Sequence, residues 1–223
     1  MKLSVAPSAH LIMLGAGGHA SVLHALALAA GHHFIGICDP ELARDGVRFW
    51  KGIRVLGDDS ALADIDRATM GLVNGIGQVA GSSARQLVFE RLRKAGFSFP
   101  VLIHPFAWVA DGVKLKHGVQ VMAGAIIQPD SAIGENTIVN TKASVDHGCV
   151  IGGHVHIAPG ATLCGGVTVG DGAFVGAGST LVQNVFVGGE AVVGAGAVVI
   201  KDLEPGSKLI GASMRRTSMR VNR

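Results

Sequence analysis

The sequence predicts a two-part protein, in which an α/β domain with a Rossmann-like sheet is followed by an all-β parallel β-helix. Two observations lead to this fold class. A strand, a glycine-rich turn and a helix open the chain, and a strict six-residue period of aliphatic residues occupies its second half. With 223 residues, 48% of them hydrophobic, the chain is long enough to bury a core in each part.

The β-helix prediction rests on an aliphatic residue at every sixth position, through sixteen consecutive hexads from Val109 to Glu204. An α-helix has a period near 3.6 and a strand a period of 2, whereas a hexapeptide period is typical of a parallel β-helix. We call these positions the aliphatic column. Four residues after each of them lies a second set of positions, the small column, whose residues are small or short-branched from Val113 to Ala197 and which continues to Leu203. If three hexads form one triangular coil, residues eighteen apart stack at ~4.8 Å per rung, and the prism is roughly 25 Å tall.

The first 100 residues alternate strands with helices. Apolar runs predict strands at 11–14, 34–38 and 69–73, and helical patterns predict helices at 21–30 and 82–95. We expect a parallel, Rossmann-like sheet of about four strands. A full dinucleotide site uses six strands, which argues against NAD.

The first turn is nevertheless a good phosphate cradle. Gly15, Gly17 and Ala20 have the G-x-G-x-x-A spacing, with Gly18 inside it, and the backbone N–H groups of such a turn converge at a helix N-terminus. His19 adds a side-chain donor, and Asp39 ends the second strand where a ribose-binding acid is expected. A nucleotide diphosphate, such as a nucleotide-activated sugar, fits best, and a tight turn that binds nothing is the alternative.

Composition sets further bounds. A net charge of +3 is too mild to indicate nucleic acid but suits a small anionic ligand. Cys38, Cys149 and Cys164 are odd in number and scattered, which indicates a reducing compartment without disulfides. The start of the chain shows neither a cleavage site nor a membrane span, so we expect a cytoplasmic protein with no membrane partner.

Chemistry on a β-helix must come from side chains on its outer face. The histidines of the coil, at positions 117, 147, 154 and 156, lack the spacing of zinc ligands, so no metal is expected. Surface histidines without a role are the alternative. Cys149 lies in the inward small column and is expected to be an inert thiol, and no base is dedicated to Cys164, which argues against an acyl-cysteine route.

The segment 139–152 resembles the PglD/NeuD-like nucleotide-aminosugar acetyltransferases, members of the left-handed β-helix hexapeptide acyltransferases. The resemblance extends over nearly the whole chain. It includes the glycine turn with His19, the acidic end of the second strand, the loop at Ile76 and Gly77, the Asn-Thr pair at 140–141 with His147, and the hexads. It implies transfer of acetyl from acetyl-CoA to the amine of a nucleotide-linked sugar, in homotrimers with the cofactor between neighbouring coils.

The resemblance also implies roles for individual residues. His147 matches the general base, and Gly165, one coil above it, matches the residue whose amide meets the thioester oxygen. Further expected contacts are, in the catalytic centre, Asp146 and Asn140; with the cofactor, His156, Gly165, Ala177, Ala195, Lys201 and Arg215; and with the nucleotide sugar, Gly15, Gly17, Gly18, His19, Asp39 and Gly77.

Some positions depart from the family pattern. Gly148 stands where the family has a glutamate beside the base, and Asp146 or an acid from a neighbouring subunit is expected to orient the imidazole instead. We divide the chain into a nucleotide-sugar domain at 1–100, the acyltransferase β-helix at 101–205 and a basic tail at 206–223. The alternative functions are a sugar or sialic-acid O-acetyltransferase and a non-catalytic trimeric scaffold or sensor.

Overall fold

The computed structural model describes residues 10–211. Its first part is a sheet in the order β3-β4-β2-β1-β5, formed by β1 (His10–Leu14), β2 (Phe34–Cys38), β3 (Phe49–Trp50), β4 (Ile53–Gly57) and β5 (Met70–Asn74). The other elements are α1 (Gly18–Ala29), α2 (Pro40–Arg44), a short 3-10 helix (Asp59–Leu62) and α3 (Ala84–Lys94). The strands of the central pairs are parallel, as predicted, whereas β3 and β4 form an antiparallel hairpin at the edge.

The sheet has a core on both faces because apolar residues are consecutive along its central strand. Leu11 and Met13 of β1 pack with α1, while Ile12 and Leu14 pack on the opposite side with Phe89 and Leu92 of α3. A strand buried on both faces reads as a continuous apolar run, which explains why β1 was recognisable in the sequence.

The second part is a coil of two-residue parallel strands that stack in three walls. Wall 1 contains β6 (Leu102–Ile103), β9 (Gln120–Val121), β12 (Ile138–Val139), β15 (His156–Ile157), β18 (Phe174–Val175), β21 (Val192–Val193) and β23 (Lys208–Leu209). Wall 2 contains β7 (Trp108–Val109), β10 (Ile126–Ile127), β13 (Ser144–Val145), β16 (Thr162–Leu163), β19 (Thr180–Leu181) and β22 (Val198–Val199). Wall 3 contains β8 (Lys114–Leu115), β11 (Ala132–Ile133), β14 (Val150–Ile151), β17 (Thr168–Val169) and β20 (Phe186–Val187).

The predicted register of the coil is confirmed. Val145 pairs with Ile127 below and Leu163 above, each eighteen residues away. Every aliphatic column residue from Val121 to Val199 is buried, and the small column is buried from Val113 to Ala197. The fold class is therefore an α/β domain followed by a left-handed parallel β-helix.

The register changes at the last coil. Leu203, expected in the small column, instead pairs with Val187, and Leu209 pairs with Val193, so both offsets are sixteen residues. The side chain of Asp202 accepts a hydrogen bond from the backbone N–H of Phe186 at 2.8 Å, where the regular pattern would place the carbonyl of Leu203. This side-chain acceptor closes a turn that is two residues shorter.

The two parts pack on each other through wall 1. Leu102, Met122 and Ile138 belong to the same apolar cluster as Leu11 and Leu23 of the α/β domain. No helix among residues 10–211 is long and apolar enough to cross a membrane.

Candidate active site

His147 lies in the turn between β13 and β14, at the second corner of the prism, where walls 2 and 3 meet. A Cβ atom at Gly165, one coil above, would lie 2.6 Å from both Cε1 and Nε2 of the His147 ring. Only glycine therefore lets the exposed imidazole rest on this turn. Gly165 is buried, and its N–H makes no hydrogen bond within residues 10–211, so an unused donor lies beside the ring.

The carboxylate of Asp146 has a local role. Its Oδ1 atom accepts a hydrogen bond from the backbone N–H of His147 at 2.7 Å, which caps the turn. Over residues 10–211 the His147 imidazole itself makes no hydrogen bond. In this structure Asp146 thus fixes the backbone beneath the imidazole and does not hold its ring.

His156 and Asn140 form a second polar group, away from His147. His156 points outward from wall 1 but is only 8% exposed, and its Nε2 atom lies 3.0 Å from Nδ2 of Asn140. Asn140 follows β12 at the first corner, where walls 1 and 2 meet, and its Oδ1 atom accepts from the N–H of Thr141 at 2.8 Å. Burial lowers the pKa of His156 to about 4, the backbone of Gln78 opposes this shift, and Arg85 adds to it.

The expected cofactor contacts fall on two corners. Ala177 and Ala195 are exposed at the first corner, and the N–H of Gly196 donates to the carbonyl of Ala177 at 2.8 Å, so the two turns stack. Lys201 is exposed at the second corner, two coils above Gly165. These corners stand at opposite edges of wall 2, which is about six residues or less than 20 Å wide. Arg215 lies outside the described residues.

The glycine turn faces the edge where the parallel strands end. Gly15 has a φ of +84°, and a Cβ there would lie 3.3 Å from the Ile76 side chain, so this glycine is required by the backbone. Gly17 and Gly18 are exposed, and a Cβ at either would meet nothing within 4 Å. The space above the start of α1 is therefore open to a ligand. Gly77 is exposed next to this space, and a Cβ atom built at Gly77 would lie 3.4 Å from Cβ of His19.

Asp39 has a structural use that the sequence did not suggest. Its Oδ1 atom accepts from the N–H groups of Glu41 and Leu42 at 3.0 and 2.9 Å, so it caps α2. Its Oδ2 atom accepts from the N–H of Ala16 at 2.8 Å, which ties the glycine turn to the end of β2. The carboxylate therefore shapes the cradle, whether or not it also contacts a ribose.

The His19 ring is tied to the coil and is not a free donor. Nε2 of His19 lies 2.8 Å from Oε1 of Gln120, whose Nε2 donates to the carbonyl of Asn74 at 2.9 Å. Because Gln120 presents its oxygen, His19 must carry its proton on Nε2, and Nδ1 is left as an acceptor. Burial first, then the nearby charge of Arg85, lowers the pKa of His19 to about 4. A neutral acceptor suits a hydroxyl or an amine better than a phosphate oxygen.

The junction of the two parts contains a buried arginine that our sequence analysis missed. Arg85 is 1% exposed, and its Nη1 atom donates to the carbonyls of Asn74 and Ile76 at 2.8 Å each. Its Nε and Nη2 atoms donate to the carbonyl of Asn136, on the coil, at 3.3 Å. Arg85, Phe89 and Leu92 share one helical face at i, i+4 and i+7 spacing, a signal that could have marked Arg85 as buried.

Two of the three thiols, those of Cys38 and Cys149, do not resemble nucleophiles. Cys149 is fully buried, burial raises the pKa of its thiol, and its Sγ donates to the carbonyl of Cys164 at 3.3 Å. Burial likewise raises the pKa of Cys38 to about 12. Among residues 10–211 there is no group of three or more histidine, cysteine or acidic side chains placed to hold a metal ion.

Comparison with known proteins agrees with both parts of the chain. Residues 10–92 match the family model of the PglD N-terminal domain, and residues 148–183 match the bacterial transferase hexapeptide model of six repeats. A perosamine N-acetyltransferase variant from Caulobacter crescentus, solved with CoA and GDP-perosamine, is 38% identical. The alignment covers 91% of this chain and 93% of that one, with a TM-score of 0.82. The chain belongs to the PglD/NeuD-like acetyltransferases.

Two further solved structures are similar to this chain. The acetyltransferase domain of PglB from Neisseria gonorrhoeae is 33% identical over 92% of this chain and 97% of its own, with a TM-score of 0.84. That domain has also been solved with acetyl coenzyme A. WeeI from Acinetobacter baumannii, at 23% identity and a TM-score of 0.80, shares the fold.

Gly148 stands where the resemblance to this family predicts an acid beside His147. It has a φ of +67° and occupies a left-handed position that recurs in the turns of the coil from Gly112 to Gly196. Lys142 and Glu190 adopt the same conformation at equivalent turns, so the backbone would accept a side chain there. The absence of the acid at this position is therefore not imposed by the fold.

Proposed function

We propose that this protein transfers the acetyl group of acetyl-CoA to the amine of a nucleotide-linked amino sugar. The observation that carries the proposal is the seating of the His147 imidazole on Gly165. It brings a base and an unused backbone donor to one point, where an attacking amine and a thioester oxygen both need a partner. Relatives that are 33–38% identical over 91–92% of the chain are named as acetyltransferases, and one was solved with CoA and GDP-perosamine.

In this reaction the amine nitrogen attacks the carbonyl carbon of the thioester, and His147 accepts the proton that the nitrogen loses. The N–H of Gly165 stabilises the oxyanion of the tetrahedral intermediate, a type of contact typically worth ~3 kcal/mol. Collapse of the intermediate breaks the carbon–sulfur bond, and the proton on His147 passes to the departing thiolate. The amide product and CoA balance the reaction without any other reactant.

The acceptor is proposed to bind across the glycine turn of the α/β domain. The open space at Gly17 and Gly18, at the N-terminus of α1, suits the diphosphate, and Asp39 and Gly77 border it. The Nδ1 atom of His19 is then placed to accept a hydrogen bond from the sugar. The GDP-linked sugar of the Caulobacter relative makes GDP-perosamine the first acceptor to test.

We further propose that the protein is a homotrimer with its cofactor between neighbouring coils. His147 and Gly165 lie at the second corner, whereas Ala177 and Ala195 lie at the first. One pantetheine arm that runs along the prism can contact both pairs of residues only at a junction between two chains. At this junction the second corner of a neighbouring chain would lie against the first corner of this chain. Wall 2, between the two corners, exposes Trp108 at 51% and Ile126 at 40%, apolar area that association would bury.

A thiol-release assay with acetyl-CoA tests the function. GDP-, UDP- and dTDP-linked amino sugars are compared with the free amino sugars and with nucleotide sugars that carry a hydroxyl in place of the amine. We expect turnover only with a nucleotide-linked amine. Turnover of the hydroxyl series would indicate an O-acetyltransferase, and thiol release with no acceptor in the panel would contradict the proposal.

Two variants make the assay specific. His147→Ala should retain acetyl-CoA binding while turnover falls by about 10² to 10⁴, the usual range for a general base. Gly17→Val should raise the acceptor KM and leave the acetyl-CoA KM unchanged, because a Cβ there would have no protein atom within 4 Å and the side chain would extend into the proposed phosphate space. An unchanged acceptor KM in Gly17→Val would show that the diphosphate binds elsewhere.

A further inference from the structure

The hydrogen bonds at the first corner define the orientation of the Asn140 amide. The backbone N–H of Thr141 can only donate, and it contacts the Asn140 side chain at 2.8 Å, so the atom it meets is the oxygen. The nitrogen of that amide therefore faces Nε2 of His156, 3.0 Å away. An amide nitrogen can only donate, which makes Nε2 of His156 the acceptor.

This acceptor role determines the protonation of His156. A neutral imidazole that accepts at Nε2 carries its proton on Nδ1. Nδ1 of His156 is buried and makes no hydrogen bond within residues 10–211, although the backbone of Gln78 lies close enough to favour a protonated ring. The ring also packs edge-on against Phe174, with centroids 5.0 Å apart. The His156 side chain is thus enclosed by the protein and offers little surface to a ligand.

The Asn140 amide, by contrast, is partly exposed and has a hydrogen to spare. Its nitrogen carries two hydrogens, of which one is donated to His156, and no other contact of this nitrogen occurs within residues 10–211. Its oxygen is already engaged by Thr141. The Asn140 amide can therefore present one N–H to the exterior of the first corner. A 180° flip of the amide would lose its hydrogen bonds with Thr141 and His156.

We propose that His156 is a positioning residue, which accepts one N–H of Asn140 and thereby directs the second N–H outward as a fixed donor. The ligand is an oxygen atom, either of the acetyl-CoA thioester and pantetheine arm or of the acceptor sugar. That identity rests on the proposed function, whereas the state of the two side chains does not. The contact with the ligand then belongs to Asn140, and His156 acts through it.

The pKa of His156 supports this arrangement. Because burial lowers it to about 4, the ring stays neutral throughout the usual assay range and keeps its Nε2 lone pair for Asn140. A protonated ring would present an N–H to the amide nitrogen, and the two donors would repel each other.

The first test is spectroscopic and needs no substrate. Long-range ¹H–¹⁵N spectra of the wild-type protein should show His156 with its proton on Nδ1, unchanged between pH 5.5 and 8.5. Asn140→Asp places a carboxylate, which only accepts, opposite Nε2. That variant should move the proton to Nε2 or raise the pKa of the ring into the observed range.

The second test is kinetic, with variants matched in shape. His156→Phe retains a ring against Phe174 but cannot accept from Asn140, whereas His156→Gln offers an amide oxygen. We expect turnover to fall by about 3- to 10-fold in His156→Phe, the range for one neutral hydrogen bond, and to be partly restored in His156→Gln. Thermal unfolding of both variants checks that they remain folded.

The KM values identify the ligand. A rise in the acetyl-CoA KM assigns the donor to the cofactor, and a rise in the acceptor KM assigns it to the sugar; either result supports the proposal. A wild-type ring with its proton on Nε2, or full activity in His156→Phe, would overturn it. Failure of the wild type to acetylate any amino sugar would refute the proposed function and leave the spectroscopic result to be judged separately.

Discussion

The imidazole of His147 depends on a neighbour that has no side chain. Gly165 does not adopt a left-handed conformation, so an alanine there would meet no backbone strain, only the ring itself. His147 is exposed and can swing away. The two roles assigned to this corner, base and oxyanion donor, are therefore coupled through one van der Waals contact.

We predict that Gly165→Ala displaces the His147 ring and lowers kcat at least 10-fold while the protein keeps its thermal stability. The added methyl group would lie 2.6 Å from the ring, a distance that only movement of the imidazole can relieve. Steady-state kinetics and a thermal melt measure the two effects. Gly153→Ala is the control, because a Cβ there lies at least 3.5 Å from its neighbours. Equal kcat values for the two variants would show that the ring is not held by position 165.

The low pKa values of His19 and His156 predict a loss of stability in mild acid. Burial lowers both from 6.5 to about 4, so between these values the unfolded chain binds protons that the folded chain does not. The free energy of unfolding should therefore decrease as the pH falls from 6.5 to 4, by roughly 3 kcal/mol for each ring over the full interval.

Urea unfolding at pH 7.5, 6, 5 and 4 measures this dependence. In a His19→Gln/His156→Gln variant, which lacks both titrating groups, the slope should become shallower. A wild-type free energy of unfolding that stays constant down to pH 4.5 would contradict the pKa assignment.

The sequence identified the residues whose positions follow from the eighteen-residue repeat. His147 and Gly165 could be placed together because the coil puts them one rung apart. The contacts of His19 with Gln120 and of Arg85 with Asn136 could not be predicted, since they depend on how the α/β domain packs on wall 1. From the sequence we expect Asp39 to contact the nucleotide sugar and Asp146 to orient the His147 imidazole. Both acids also form local caps, and the sequence does not distinguish a capping acid from a binding or catalytic one.

At the scale of elements, α3 joins the two parts of the molecule through Arg85. Its guanidinium satisfies carbonyls at the end of β5 and in a turn of the coil, and burial lowers its pKa to about 9. The loop at Ile76 and Gly77 is held between them. One buried cation on a helix therefore helps to hold this loop over the coil, together with the hydrogen bond from Nε2 of Gln78 to the carbonyl of His154 at 3.2 Å.

We predict that Arg85→Met lowers the free energy of unfolding by about 2 to 4 kcal/mol, because it removes the donor to the carbonyls of Ile76 and Asn136. Urea unfolding measures the loss, and the acceptor KM should rise more than the acetyl-CoA KM, since the loosened loop belongs to the α/β domain. Lys94→Met, at the exposed end of α3, is the matched control. A stable Arg85→Met variant with normal acceptor KM would show that the loop is held by other contacts.

Strands in the coil were easier to predict than those at the edge of the α/β sheet. The strands of the coil share one sequence pattern that occurs in sixteen consecutive hexads. In contrast, β3 and β4 form a single hairpin, with Arg54 exposed and no repeating pattern that would predict it. The helix α2 has only five residues and depends on the Asp39 cap. Short elements stabilised by one cap or one edge pairing leave too little pattern in the sequence.

At the scale of the whole molecule, wall 2 is expected to form the contact between chains. We predict a native mass near three times 22.8 kDa, and we predict that Ile126→Glu, which places a charge beside the exposed Trp108, yields smaller species with little activity. Light scattering and the thiol-release assay measure both. Leu28→Glu, at a 49% exposed position on α1, should leave mass and activity unchanged. An active wild-type monomer would refute the shared site.

The regular stacking of the coil also sets the distance between two predicted cofactor contacts. Gly165, which we propose meets the thioester, and Lys201, which we predict contacts the cofactor at the same corner, are separated by two coils, or roughly 10 Å along the prism. Duplicating the eighteen residues of one intervening coil would keep every strand in register and raise Lys201 by ~4.8 Å. An enzyme built in this way should lose affinity for acetyl-CoA and regain it for an analogue whose pantetheine arm is longer by the same amount. The number of coils between these two residues would then set the length of thioester carrier that the enzyme accepts.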